Sequence, residues 1–144
     1  MKLSQIVKIA LKEALKAKAK GEVPIGAVVF SNNEVISKAH NLVMSKKNHL
    51  AHAEILAINK ATKKLKTMVL KDYKIYSTLE PCLLCSYTIS KYRLNSLYFG
   101  AYDNKNGCIE NGVKLFNMKF MGYRPNIYGG IGLKEHSDLI INFF

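Results

Sequence analysis

His52-Ala53-Glu54 and Pro81-Cys82-Leu83-Leu84-Cys85 are the two stretches whose reading decides this chain. Between them they offer one imidazole and two thiols, with a carboxylate to spare. Structural zinc sites usually close with four protein ligands, whereas catalytic ones keep three and leave the fourth position to water. The pattern therefore predicts an open zinc site, with His52, Cys82 and Cys85 as ligands, one ion per subunit, and Glu54 unbound beside it.

The local geometry supports this. Cys82 and Cys85 fall on one face of a helical turn, their Cβ atoms roughly 5 to 6 Å apart, and two sulfurs on a tetrahedral ion lie about 3.8 Å apart. Pro81 suits a first helical turn, so both thiols sit near a helix N-terminus, whose partial positive charge favours thiolate. Ala53, Ile55, Leu56, Ala57, Ile58 and Ala61 give a second helix its apolar face. Residues two apart on an ideal helix point to nearly opposite sides, so His52 is expected at the helix boundary, where it can share a site with Glu54. Two thiolates and a neutral imidazole cancel the charge of Zn²⁺, and the ion then acidifies water less than an all-histidine site would. A local base becomes necessary, and Glu54 fits as a proton shuttle. A Cys-x-x-Cys pair alone also suits redox chemistry or an inert core, but neither explains His52-x-Glu54 or Pro81.

Strands alternate with helices along the rest of the chain. Residues 3–19 are predicted helical, with Leu3, Ile6, Val7, Ala10, Leu11 and Ala14 on one face and Lys8, Lys12 and Lys16 on the other. Residues 23–30 and 35–39 read as a hairpin around Ser31-Asn32-Asn33-Glu34. Helix 52–63, strand 72–78, helix 82–92, strand 96–101, a less regular stretch, strand 125–129 and a helix near 134–143 follow. The alternation implies an α/β fold with a sheet covered on its faces. Lys46-Lys47 and Lys63-Lys64-Leu65-Lys66 are expected on solvated loops. Leu83, Leu84, Tyr87, Thr88 and Tyr92 supply more apolar surface than one sheet face needs, which suggests a subunit interface.

The 144 residues, 49% of them hydrophobic, suit a single domain spanning 1–144. No apolar run reaches the roughly 18 residues of a membrane span, and Lys8, Lys12 and Glu13 interrupt any signal-peptide core. A cytoplasmic location without a membrane partner is expected. With two of the three cysteines committed to metal, Cys108 is expected to be a packed thiol. Twenty-two Lys and Arg against ten Asp and Glu leave a formal charge of +12, which favours a polyanionic partner.

These motifs resemble those of the zinc-dependent nucleobase deaminases, with their His-x-Glu and Pro-Cys-x-x-Cys signature. The likeness extends through Glu22-Val23-Pro24-Ile25-Gly26-Ala27-Val28-Val29, Asn41, Thr78-Leu79-Glu80 and Phe99-Gly100-Ala101-Tyr102-Asp103, and is strongest toward the bacterial tRNA-specific adenosine deaminases. It implies a cytidine-deaminase-like three-layer α/β/α fold with a mixed sheet of about five strands. It also implies hydrolytic conversion of the wobble adenosine of a tRNA anticodon to inosine, through water activated on zinc and attacking C6, with Glu54 carrying protons to N1 and to the departing amine. By the same resemblance Asn41 contacts the substrate nucleotide, Asp103 lies beside the anticodon nucleotides, Phe144 stacks on a splayed base while Phe143 packs the last helix, and the enzyme is a homodimer. Gly107-Cys108-Ile109-Glu110 and Gly122-Tyr123 depart from the family pattern. Two rival readings are a zinc-dependent deaminase of a free base or nucleotide (guanine, cytosine or deoxycytidylate) and a non-catalytic zinc-containing RNA-binding module.

Overall fold

Strand β1 (Gly26–Phe30) is buried at every position because both faces of the sheet are covered. The computed structural model describes residues 1–143. Around β1 lie α1 (Leu3–Ala19), β2 (Val35–His40), α2 (Val43–Lys46), α3 (Ala53–Leu65), β3 (Lys74–Leu79), α4 (Leu83–Lys91), β4 (Ser96–Ala101), a 3-10 turn at Leu115–Asn117, β5 (Asn126–Tyr128) and α5 (Leu133–Phe143). Side chains alternate across the strands. Ala27 and Val29 pack with Ile58, Ile75, Ile89 and Phe99 on the α3 and α4 side, while Val28 and Phe30 join Ile6, Ala10 and Tyr76 beneath α1. Helix α5 covers β4 beside α1, completing the third layer.

Ala10, Ala14 and Ala17 make the buried stripe of α1. The helix lies so close to β1 that a Cβ on Gly26 would meet the Ala10 carbonyl oxygen and come within 2.9 Å of the Ala14 nitrogen. Glu13 shares the stripe and is not left bare: its two oxygens pair with His40 Nδ1 at 3.0 Å and Lys16 Nζ at 2.6 Å.

The sheet has five strands in the order β2-β1-β3-β4-β5. Strand β1 is antiparallel to β2 and β3, while β3, β4 and β5 run parallel. Strands β2, β3 and β4 therefore all end at one side of the molecule, where β1 begins. The connections 41–52, 80–82 and 102–114 gather there, at the carboxyl edge where open α/β sheets place their clefts.

The predicted elements are present with shifted ends. Residues 23–25 stay outside the ladder, in a turn closed by the Ile25 N–H to the Val23 carbonyl at 2.8 Å. Pro24 lacks the N–H that a paired strand needs. The hairpin turn is closed from Ser31 N to the Glu34 carbonyl at 2.9 Å. Lys63 and Lys64 lie in the last turn of α3, not on a loop, where their charge complements the helix dipole; Lys46 likewise belongs to α2. Among the described residues no helix is long and apolar enough to cross a membrane.

Candidate active site

Two helices begin at the gathered edge, and each begins with a metal-ligand candidate. His52 is the N-cap of α3 (φ −75°, ψ 148°) and Cys82 the N-cap of α4 (φ −73°, ψ 177°), both extended. As expected, His52 sits at the boundary, so its side chain escapes helical phase and shares a cleft with Glu54 in the first turn. The reading of Pro81 needs correction. It precedes the cap, so Cys82 lies outside the helix and only Cys85 inside it. The extended backbone swings the Cys82 sulfur back over the helix start.

His52 Nδ1 lies 3.5 Å from Cys82 Sγ and 3.4 Å from Cys85 Sγ, and the three donor atoms fall within 4.8 Å of one another. A tetrahedral zinc with Zn–S near 2.3 Å and Zn–N near 2.0 Å has an N···S edge of about 3.5 Å. The donor set and its spacing fit zinc. Among the described residues the cluster contains no carboxylate, so Glu54 is near the donors without joining them.

The two thiols differ in acidity. The hydrogen bond from Cys85 holds Cys82 down to about 4, while Cys85, donating to Cys82 and buried, lies well above the ordinary thiol value. His52 is raised chiefly by its hydrogen bond with Cys82. A cation bound here would displace the Cys85 proton. Glu54 is 5% exposed, and burial, followed by the Cys82 thiolate, pushes its carboxyl up to about 7. Bound Zn²⁺ would offset the thiolate part and leave the burial part.

His52 and Cys82 floor an open cleft of about 1000 Å³, with Cys85 buried behind it. Asn41 is in its wall, buried, with Oδ1 accepting from Val43 N at 3.3 Å. Asp103 is in the opposite wall, where Oδ1 accepts from Lys105 N and Asn106 N, each at 3.0 Å. Phe144 lies outside the described residues; Phe143 is half-buried at the end of α5. Cys108 is a buried thiol of the same wall, its Sγ donating to the Asn106 carbonyl at 3.6 Å.

Sequence reasoning missed two buried carboxylates that build the walls. Glu22 accepts from Met44 N at 3.0 Å, Ser45 N at 2.6 Å and Ser45 Oγ at 2.5 Å. Glu80 accepts from the backbone of Asp103, Ile109, Glu110 and Asn111. Burial pushes both up, but these donors outweigh it and hold both below the ordinary carboxylate value. The available signal was an acid one or two residues before a proline, Glu80 before Pro81 and Glu22 before Pro24.

The family model for the cytidine and deoxycytidylate deaminase zinc-binding region matches residues 1–101, which contain all three donors and Glu54. The tRNA-specific adenosine deaminase of Rickettsia felis is 45% identical over 137 residues, 94% of each chain. A solved structure from work on A-to-I editing by tRNA:A34 deaminases at the wobble position of transfer RNA superposes with a TM-score of 0.92 at 36% identity, covering 94% of this chain and 99% of that one. The guanine deaminase of Bacillus subtilis superposes less fully, with a TM-score of 0.68 and 31% identity over 71% of this chain and 66% of that one. With a three-donor cradle at paired helix starts and this likeness along nearly its whole length, the chain belongs to the zinc-dependent cytidine and deoxycytidylate deaminase family, among its tRNA-specific adenosine deaminases.

Proposed function

We infer that this protein hydrolytically deaminates adenosine to inosine at the wobble position of a tRNA anticodon. The observation that carries the chemistry is a buried, uncoordinated Glu54 beside a three-donor cradle in an open cleft. His52, Cys82 and Cys85 would hold zinc, which when bound supplies Lewis-acid activation of water. Glu54 takes a proton from the attacking water and delivers it to N1 of the purine as C6 becomes tetrahedral. The second proton passes through Glu54 to the exocyclic amine, which departs as ammonia and leaves a C6 carbonyl. A carboxyl raised by burial above its ordinary value is suited to both directions of transfer.

Asn41 and Asp103, on facing walls, are proposed to contact the reacting nucleotide and its neighbours, and Phe144 to stack on a splayed base. An anticodon loop supplies an unpaired adenosine at less unstacking cost than a duplex, and the charge of +12 favours RNA. Leu83, Leu84 and Tyr87 are exposed at 51%, 38% and 49% along α4, a surface we assign to a homodimer interface. We take residues 1–144 as one domain acting in the cytoplasm.

The likeness to a guanine deaminase keeps a free-base substrate as the second reading. Mass analysis of anticodon nucleosides after incubation with tRNA transcripts separates the two: inosine should accumulate while free guanine, cytosine and adenosine stay untouched. Glu54→Ala should keep its zinc and lose turnover by about a hundredfold or more. Normal deamination by that variant rules out the shuttle; turnover of free guanine without inosine in tRNA rules out the substrate.

A further inference from the structure

Glu80 lies 2% exposed, one residue past β3 and two before Cys82. Its Oε1 accepts from Asp103 N at 3.1 Å and Asn111 Nδ2 at 2.7 Å, and its Oε2 from Ile109 N, Glu110 N and Asn111 N at 3.1, 2.8 and 3.0 Å. Five donors saturate a carboxylate, which has about four lone-pair sites. Among the described residues no lysine or arginine pairs with it, since the ion pairs there involve only Glu13. The charge is neutralised by loop N–H groups alone.

Those donors bracket residues 103–111, whose exposed members Asn104, Lys105 and Asn106 rim the cleft. Two further bonds lash the loop to the metal-bearing segment: Cys82 bridges Gly107, and Cys108 N donates to the Pro81 carbonyl at 3.0 Å. The approach is tight. A Cβ on Gly107 would lie 2.6 Å from Glu80 Cδ and 2.5 Å from the Asp103 carbonyl oxygen. Lys105 enters no ion pair among the described residues, and its backbone is held by Asp103.

We propose that Glu80 is a positioning residue for substrate recognition: its carboxylate sets the 103–111 loop against the Cys82 segment, so that Asp103 and Lys105 are presented to the nucleotides flanking the reacting base. The proposal rests on the tRNA reading above. It separates two jobs within residues 80–85: Cys82 and Cys85 serve the reacting atom, and Glu80 serves the rim that grips what lies beside it. Glutamine at this position keeps the size but accepts on one oxygen only, turning its amide N–H groups toward loop N–H donors.

The test measures steady-state deamination of tRNA transcripts by zinc-loaded, full-length protein. Glu80→Gln should raise KM about tenfold, the worth of one good charged hydrogen bond, with kcat changed less than about threefold and the zinc content of wild type. Lys105→Ala should raise KM too, and in the double variant the two effects should fail to add, because a displaced rim no longer presents Lys105. Should Glu80→Gln not fold, Asn111→Ala and Gly107→Ala disturb the same clamp from the loop side and should show the same KM pattern. A fall in kcat with unchanged KM, loss of zinc, or additive effects would each overturn the assignment in favour of a generic structural role. A wild-type protein inactive on tRNA sinks the substrate reading and this proposal together. An active wild type with unchanged KM in the variants sinks this proposal alone.

Discussion

The floor of the cleft and its walls are built by opposite rules. The floor uses two helix starts, His52 before α3 and Cys82 before α4, and neither N-cap side chain makes a capping hydrogen bond. Those side chains are left to a metal, and the N–H groups of both first turns add positive potential behind the thiols. The walls use buried acids instead: Glu22 satisfies the backbone entering α2, and Glu80 the loop after β4. The metal donors are thus placed on rigid elements by short-range spacing, and the loops of the walls by hydrogen bonds that span long stretches of chain, where we propose recognition resides. The contrast suggests that floor variants should change metal content or turnover, and wall variants substrate binding.

The largest effect should come from the floor. Cys85→Ser removes a buried thiolate ligand and should cost at least about a hundredfold in zinc affinity, since disturbing even an outer partner of a metal ligand costs 10 to 100-fold; deamination should fall with it. Metal analysis after dialysis against a chelator checks this. Full zinc and full activity in that variant would break the division between floor and walls.

Glu54 gives the next effect, and its sign can be worked out. Its folded carboxyl is raised from 4.5 to about 7. The cost of ionising it is absent below its unfolded value and complete above about 7, so wild-type stability is lost as pH rises through that window. Glu54→Gln carries no such cost. It should melt roughly 3 °C or more above wild type at pH 8, with no gain at pH 4, while being inactive. Wild-type kcat/KM should rise with pH and level off, since a shuttle that takes the first proton starts ionised. The midpoint should lie below the metal-free value of about 7, because bound zinc offsets the thiolate's push. Equal melting temperatures at pH 8 would show that Glu54 is not buried as a charge.

How much of this the sequence disclosed follows the same division. Apolar periodicity located α1 and α3, whose buried stripes pack against the sheet with regular spacing. His52 at a helix boundary followed from a conflict between two-residue spacing and a shared site. Pro81 was misplaced by two positions, since a proline fits just before a cap as readily as just after it. Glu22 and Glu80 went unrecognised for a different reason. An acid whose partners are backbone N–H groups far along the chain, such as Ile109 and Asn111, leaves no side-chain complement to search for. Helix α2 is short, ends in a left-handed Lys47, and has no buried residue, so it has no apolar stripe to detect.

The smallest expected effect falls on Cys108, where floor and wall meet. Its thiol lines the same cleft as Cys82, so a fourth cysteine ligand, closing the site as structural zinc sites are closed, is the arrangement that most directly threatens a catalytic reading. The geometry argues otherwise. The donor cluster stops at His52, Cys82 and Cys85 among the described residues. The Cys108 sulfur faces the Asn106 carbonyl, and burial, with the Cys82 thiolate second, keeps its thiol above the ordinary value. What Cys108 contributes to the wall is its backbone, through N–H to Pro81 and carbonyl to Leu115 N at 2.8 Å, and alanine preserves both bonds. Cys108→Ala should therefore retain one zinc per chain and deaminate within about threefold of wild type, losing about 1 kcal/mol of stability for a small buried group. If zinc is lost with the thiol, the site has four protein ligands and no position for water, and Glu54 stands beside a closed ion with nothing to deprotonate.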